Sequence, residues 1–219
     1  MDGDINKKVL CITDRDLKID YKEDLNKIKS FIPTHIAKLL NNKKSKLENK
    51  KITLNKYRSE SKKYKIKIES KKIYYVRNNI AMVCQDTYGS TFEDELFLAN
   101  TNNKENAIQL LKTALCKSLN KFIEDNELNF EKWRDNVEKI KNEKTREKIK
   151  NMINKYDTLI KSDNENKEVY EKLFFSNLFL SYAENKKGEV ALEILLNNEL
   201  IDKLIIPQYI KEGIEWLMK

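Results

Sequence analysis

The stretch Val9-Leu10-Cys11-Ile12-Thr13-Asp14-Arg15-Asp16 decides the fold of the N-terminal half of this chain. Its first four residues are all apolar, which is typical of a strand buried on both faces of a sheet. Asp14 and Asp16 follow that strand, with one residue between them. Burying an unpaired carboxylate is costly, so acids at the end of a buried strand need a compensating partner. We therefore predict an α/β fold with a divalent-cation site at the carboxyl end of this strand. The alternative is that Asp14 caps the following turn and Asp16 pairs with Lys18.

A second acidic cluster, Glu93-Asp94-Glu95, lies between Gly89 and an apolar run at 96–98. It follows a strand-like segment, so at least one of its carboxylates could join the first pair around an ion. We take Glu93 as the ligand. Asp94 and Glu95 remain alternatives, because spacing alone does not rank the three acids. An exposed acidic turn is the competing interpretation.

The segment Lys186-Lys187-Gly188-Glu189 stands at a predicted helix start. A glycine there removes side-chain bulk, so a phosphate could approach the N–H groups at the positive end of the helix dipole. A neighbouring lysine would stabilise charge that develops on a scissile phosphate. The chain has 43 basic residues, so an ordinary exposed lysine at a helix boundary is the competing interpretation.

The remaining pattern divides the chain into an α/β part at 1–104 and helical parts at 105–165 and 166–219. The α/β part includes strand-like runs at 64–68, 73–76 and 80–84, and the last two flank a predicted hairpin turn. Beyond it, apolar residues recur every three or four positions, as in amphipathic helices. We expect these stripes to form core, with helices over 169–182, from about 187 to 196, and after Pro207.

The composition favours an anionic partner without identifying it. The 219 residues carry a net charge of +8, which suits nucleic acid first and an anionic membrane surface second, although a lysine-rich solvated surface would look the same. The apolar runs are too short to span a bilayer, and no signal peptide is recognisable. Cys11, Cys84 and Cys116 lie in or beside apolar runs, so we expect buried free thiols and a cytoplasmic location.

Four short segments, in this order, resemble the C-terminal catalytic region of the overcoming-lysogenization-defect (OLD) family of ATP-dependent endonucleases. Thr13-Asp14-Arg15-Asp16 resembles the family's "TDxD" pair, and Thr91-Phe92-Glu93-Asp94-Glu95-Leu96 its "T-[LF]-E-x-[DE]-L" element. Lys187-Gly188-Glu189-Val190-Ala191 resembles "KGE-[FV]-A", and the segment 206–212 resembles the family's "vPxYIkeai" ending. The family carries a topoisomerase–primase (TOPRIM) nuclease domain after an ABC-type ATPase.

The resemblance implies a partial TOPRIM-like parallel sheet, a helical insertion at 105–165, and C-terminal helices at 166–219 that complete the nuclease domain. Asp14, Asp16 and Glu93 would hold Mg²⁺ or Mn²⁺ for metal-assisted hydrolysis of DNA phosphodiesters. Glu93 and Lys187 would be catalytic, with Lys186 as the fallback for Lys187. Lys186, Lys187 and Arg15 would contact the nucleic acid.

Two departures from the family pattern bear on activity. Nothing like the family's first glutamate motif precedes Val9, and no P-loop occurs, so no ATP site is expected in this chain. We expect a fragment or split half that works with an ABC-type ATPase domain or subunit, and a homodimer through that ATPase is one arrangement that the resemblance implies. The chain alone would then show weak nuclease activity, and its biological role would be defence against phage or other foreign DNA.

Two other functions remain open at this stage. The chain could be a non-catalytic basic helical module that binds nucleic acid or another protein. A TOPRIM fold with primase or topoisomerase chemistry is the other, although a topoisomerase needs a nucleophilic tyrosine in a separate domain, and no such domain is visible. Salt-sensitive DNA binding suits both the nuclease and the basic module, so metal dependence has to separate them.

Overall fold

The structure is a computed structural model that describes residues 8–12, 14, 66–69, 72–77, 80–83, 85, 88–89 and 91–218, with side chains left out between 66 and 82. The chain forms two compact units, each considered by itself below. The first comprises 1–95 with 206–219, and the second comprises 96–205. These limits differ from the boundaries at 104 and 165 expected from the sequence.

The described sheet belongs to the first unit and has the strand order β1-β4-β3-β2. β1 pairs parallel with β4, whereas β3 pairs antiparallel with both β4 and β2. Only two residues separate β2 from β3 and β3 from β4, too few for a parallel crossover. Among the described strands the predicted parallel arrangement is therefore confined to the β1–β4 pair. The strands are β1 (Val9–Ile12), β2 (Ile66–Glu69), β3 (Lys72–Arg77) and β4 (Ile80–Val83).

Most of the described residues are helical, as expected for the C-terminal half. Pro207 directly precedes the last helix, and the predicted helix at 187–196 is present with those limits. None of the described helices is long and apolar enough to cross a membrane. The helices are α1 (Phe92–Asn100), α2 (Lys104–Ala114), α3 (Asn120–Asn126), α4 (Phe130–Asn136), α5 (Glu143–Ser162), α6 (Lys167–Ala183), α7 (Lys187–Leu196), α8 (Asn198–Lys203) and α9 (Gln208–Met218).

An aromatic cluster forms the core of the second unit. Trp133 on α4 is fully buried and meets Phe174 and Phe175 of α6 edge-on, with ring centroids 6.1 and 5.6 Å away. Tyr156 of α5 meets Phe174 in the same way at 5.9 Å. Such pairs contribute about 0.5–1.5 kcal/mol each beyond the area that they bury. The apolar stripes on α4 and α5 are thus core, as predicted.

Ion pairs connect α5 to α4 and to the short 3₁₀ turn, Val137–Lys139, that follows α4. Arg134 lies 3.4 Å from Asp157, and Glu138 lies 2.5 Å from Lys150. Glu138 comes after Arg134 in the chain, but its partner Lys150 comes before Asp157. This order is expected for two antiparallel neighbouring segments. The Lys150 side chain, by hydrogen bond and charge, lowers the pKa of Glu138.

β1 is less buried than its apolar sequence predicts. Val9 and Ile12 are 50% and 46% exposed, and only Leu10 is half-buried. The expectation of a strand buried on both faces is therefore wrong for this strand. Cys11 is also exposed, as is Cys116 after α2, so the expectation of buried thiols is wrong at both; Cys84 lies outside the described residues. The apolar side of β1 that is covered is the one where Leu10 meets α9.

Candidate functional site

The Asp14 carboxylate is held in place by Gln85. Nε2 of Gln85 donates a hydrogen bond to Oδ1 of Asp14 at 2.8 Å. Asp14 comes two residues after β1 and Gln85 two residues after β4, and because these strands are parallel, both residues lie at one edge of the sheet. Asp14 is half-buried and Gln85 is 1% exposed. The carboxyl ends of parallel strands are where open α/β sheets bind their ligands.

Helix α9 closes the other side of this group. The buried Tyr209, in its first turn, places its hydroxyl 3.4 Å from Nε2 of Gln85. At the opposite end of the helix, Lys8 donates a hydrogen bond to the carbonyl of Trp216 at 3.3 Å. The helix therefore runs antiparallel to β1, and its positive N-terminal end is on the side of Asp14.

Gly213 allows α9 to approach the sheet this closely. A Cβ at this position would lie 3.1 Å from both terminal methyl groups of Leu10 and from a methyl group of Val83. These distances are shorter than ordinary carbon–carbon contacts of about 3.5–4.0 Å. The glycine thus keeps the first turn of α9, with Tyr209, against the end of β4.

The acidic cluster forms the first turn of α1, where negative charge suits the helix dipole. Oδ1 of Asp94 accepts hydrogen bonds from the N–H and hydroxyl of Thr91 at 2.8 and 3.2 Å, a capping arrangement. Oε2 of Glu95 accepts from the N–H of Gly89 at 2.8 Å. Both acids are buried, at 6% and 4% exposure, so an exposed acidic turn does not describe them. Glu93, the acid expected to be a ligand, is half-buried in the same turn.

The other predicted residues near the acidic strand end, Arg15 and Asp16, lie outside the described residues, as does Lys18. In the part of the chain that the structure describes, no three His, Cys, Asp or Glu side chains group closely enough to hold a metal ion. Of the three predicted metal ligands, the structure therefore describes two. Asp14 accepts a hydrogen bond from Gln85, and Glu93 lies in the first turn of α1.

Lys187 begins α7, and Lys186 ends the short 3₁₀ turn before it. Both lysines are exposed, and so is Gly188. A Cβ at Gly188 would meet no atom within 4 Å, so the first turn of α7 has open space around its backbone. Lys187 belongs to the second unit, whereas Asp14 and Glu93 belong to the first.

A further lysine lies beside the residues that lead into this turn. Nζ of Lys148 donates to the carbonyl of Ser181 at 2.7 Å and lies 4.0 Å from the ring centroid of Tyr182. Burial lowers the pKa of Lys148, while the charge of Glu184 partly opposes that shift. A cation at the C-terminal end of α6 is favourable for the helix dipole, so Lys148 has a structural role there.

Sequence reasoning missed Gln85 as a functional residue. The available signal was its position, a polar residue two places beyond an apolar strand that could pair with the first strand. Tyr209 lies in the quoted C-terminal motif, but its position next to Gln85 follows only from the packing of α9 on the sheet.

Comparisons with known proteins found no match to this chain. No family model matches the chain, and neither a curated protein nor a solved structure matched it. The resemblance to OLD-family nucleases therefore rests on the four short segments alone.

Proposed function

We propose that this chain is the metal-dependent DNA endonuclease module of an OLD-family ATP-dependent nuclease. The observation that carries the proposal is the Asp14 carboxylate, fixed by Gln85 at the carboxyl ends of two parallel strands. Glu93, ten residues after β4 in the first turn of α1, would be a second ligand. The finer assignment, a TOPRIM-like α/β nuclease, is part of the same proposal.

Asp14, Asp16 and Glu93 would hold the ion, and their chemistry suits Mg²⁺ or Mn²⁺. Carboxylate oxygens are the ligands that these hard cations prefer, and Gln85 provides the supporting hydrogen bond that ligating carboxylates generally have. When bound, such an ion activates water and stabilises the leaving oxygen of a phosphodiester. The protein's own contribution at Asp14 is to keep the carboxylate oriented.

Lys187 would act near the scissile phosphate, with Lys186 and Arg15 binding the DNA backbone. The open space around Gly188 supports this role, because a phosphate oxygen could approach the N–H groups of the first turn of α7. The net charge of +8 favours DNA as the partner over a neutral ligand.

The proposal includes an ABC-type ATPase domain or subunit as the partner of this module, and a cytoplasmic role in defence against foreign DNA. The exposed apolar side chains of Val9 and Ile12 support a partner here, because contact would remove them from water. The isolated chain is then expected to cleave DNA weakly or not at all.

Binding of Mn²⁺ tests the proposal most directly. We would titrate Mn²⁺ into the wild-type chain, into Asp14→Ala and into the control Asp202→Ala, which removes an exposed acid of the second unit. Electron paramagnetic resonance of free Mn²⁺ detects weak sites, and circular dichroism checks that each variant is folded. The proposal predicts saturable binding that Asp14→Ala abolishes and Asp202→Ala retains. Equal binding by all three proteins would contradict it.

The competing function is a non-catalytic basic helical module that binds nucleic acid or another protein. The compact aromatic core of the second unit favours it, because residues 96–205 form a helical body without the sheet. This module predicts DNA binding that depends on salt but does not change on Mn²⁺ addition or Asp14→Ala substitution. Measuring DNA affinity in the same three proteins, with and without Mn²⁺, separates the two functions.

A further inference from the structure

We infer that Gln85 is the positioning residue of the proposed metal site, acting on the ion through Asp14. The inference rests on the proposed function and assigns a role to a residue outside the four motifs. Gln85 would touch neither the DNA nor the reacting atoms. Its effect would be to set which way the Asp14 carboxylate faces.

The hydrogen bonding fixes the orientation of the Gln85 amide. A carboxylate only accepts hydrogen bonds, so the amide atom 2.8 Å from Oδ1 of Asp14 has to be the NH₂ group. The second hydrogen of the same nitrogen is directed to the Tyr209 hydroxyl at 3.4 Å. Gln85 therefore connects the end of β4 to Asp14 on one side and to α9 on the other.

Burial makes this connection rigid. Gln85 and Tyr209 are 1% and 2% exposed, and a buried amide that lost its partners would pay the full cost of desolvation. Gly213 lets α9 pack within reach of Val83, which keeps Tyr209 close to the end of β4. Because the amide is held in this way, it restrains the rotation of Asp14, which is itself only half-buried.

A neutral donor suits a metal ligand better than a cationic one. A lysine or arginine at this position would pair with Asp14 and compete with the ion for its charge. The glutamine amide orients one oxygen and leaves the negative charge on the carboxylate. Hydrogen-bond partners of this kind typically contribute about 10- to 100-fold to metal affinity.

The test is the Mn²⁺ dissociation constant of the full chain and three variants. Gln85→Met keeps the length of the side chain and removes the donor, whereas Tyr209→Phe removes the neighbouring hydroxyl and leaves the bond to Asp14. We expect Gln85→Met to weaken Mn²⁺ binding about 10- to 100-fold and Tyr209→Phe to change it far less. Gln85→Asn, one methylene too short to reach Asp14, is the second variant in case Gln85→Met does not fold.

Thermal unfolding without metal separates positioning from a structural role. If Gln85 has a purely structural role, its replacement lowers the unfolding midpoint, but the folded Gln85 variants bind Mn²⁺ as tightly as the wild type. That result would overturn the inference. If wild-type binding is lost in Asp14→Ala and retained in both Gln85 variants, the inference fails and the proposed function stands. Absence of binding by the wild type would overturn the proposed function, and this inference with it.

Discussion

Asn100 pairs with the backbone of Ile205 as a strand neighbour would. Its Nδ2 donates to the carbonyl of Ile205 at 2.9 Å, and its Oδ1 accepts from the N–H of Ile205 at 2.9 Å. The same oxygen accepts from Nδ2 of Asn106 at 3.1 Å, and Asn106 in turn donates to the carbonyl of Lys203 at 2.7 Å. Two buried amides therefore fix the segment where the second unit ends.

Asn100→Asp tests that arrangement, because it retains the acceptor and replaces the donor with a second acceptor. The carbonyls of Leu96 and Ile205 then lose the hydrogen bonds that they accept from Nδ2 of Asn100. We expect a loss of about 2–4 kcal/mol in the free energy of unfolding, since a buried charge adds to the unmade bonds. Urea denaturation measures this, with Asn154→Ala, an exposed change on α5, as control. A loss below that of the control would mean that the segment is held by other contacts.

The contact between Gly89 and Glu95 predicts that the effects of substituting these two residues on stability are not additive. A Cβ at Gly89 would lie 2.1 Å from Oε2 of Glu95, and a methyl group cannot be accommodated there. Gly89→Ala should therefore displace the buried Glu95 carboxylate and destabilise the protein by about 2 kcal/mol or more. In a Glu95→Ala background the same change should cost less, because the clash with Oε2 is gone. It should still destabilise the protein, because the Cβ and Cα of residue 95 would lie 2.7 and 2.9 Å from the added Cβ. Equal costs in the two backgrounds, measured by thermal unfolding, would show that Glu95 is not what limits this position.

Glu127 has the one positive φ described for a non-glycine residue in this structure, with φ 50° and ψ −143° at the end of α3. This region of backbone conformation is essentially restricted to glycine. Glu127→Gly should raise the unfolding temperature by about 2–4 °C, although it removes the ion pair with Lys104. Glu127→Ala removes the same ion pair without relieving the backbone, so it should not stabilise. If both changes gave the same result, backbone strain at this position would be negligible.

Gly188→Ala separates the contribution of this residue to the stability of α7 from the proposed role of α7 in binding a DNA phosphate. Open space surrounds this position, so alanine should stabilise the helix by up to about 1 kcal/mol. If phosphate approaches the backbone here, the added methyl group should also weaken DNA binding several-fold. The salt dependence of DNA affinity, measured beside Lys187→Ala, checks this, because loss of one phosphate contact lowers the salt slope by about one. A more stable variant with unchanged DNA affinity would remove α7 from the proposed DNA contact.

The helical second unit was largely predictable from sequence because its signals are local. The residues Phe130, Trp133, Val137 and Ile140 recur at helical spacing, and all four are buried. The limits of α7 also followed from the pattern. Apolar residues from 107 to 123 also recur at helical spacing, but they do not form one helix, because α2 ends at Ala114 and a short 3₁₀ turn at 117–119 precedes α3.

The acidic site was only partly predictable because its decisive contacts are not local. The pair Asp14–Gln85 joins residues 71 positions apart, and Gln85–Tyr209 joins residues 124 apart. The apolar run at 9–12 indicated a strand but not its exposure, which depends on what packs against each face. The capping bonds of Asp94 and the hydrogen bond of Glu95 to Gly89 were not predicted either, since spacing alone did not distinguish the three acids.

The division of the chain has a consequence for biosynthesis. The second unit is continuous in sequence, whereas the first needs residues 206–219 to supply α9, whose Gly213 packs on Leu10 about 200 residues earlier. On a ribosome, which adds about 5–20 residues each second, the helical unit can become compact while β1 still waits for its covering helix. Leu10 therefore stays accessible to chaperones at least until residues 208–218 have emerged, and the support of Asp14 by Gln85 and Tyr209 is completed only after the whole second unit has been made.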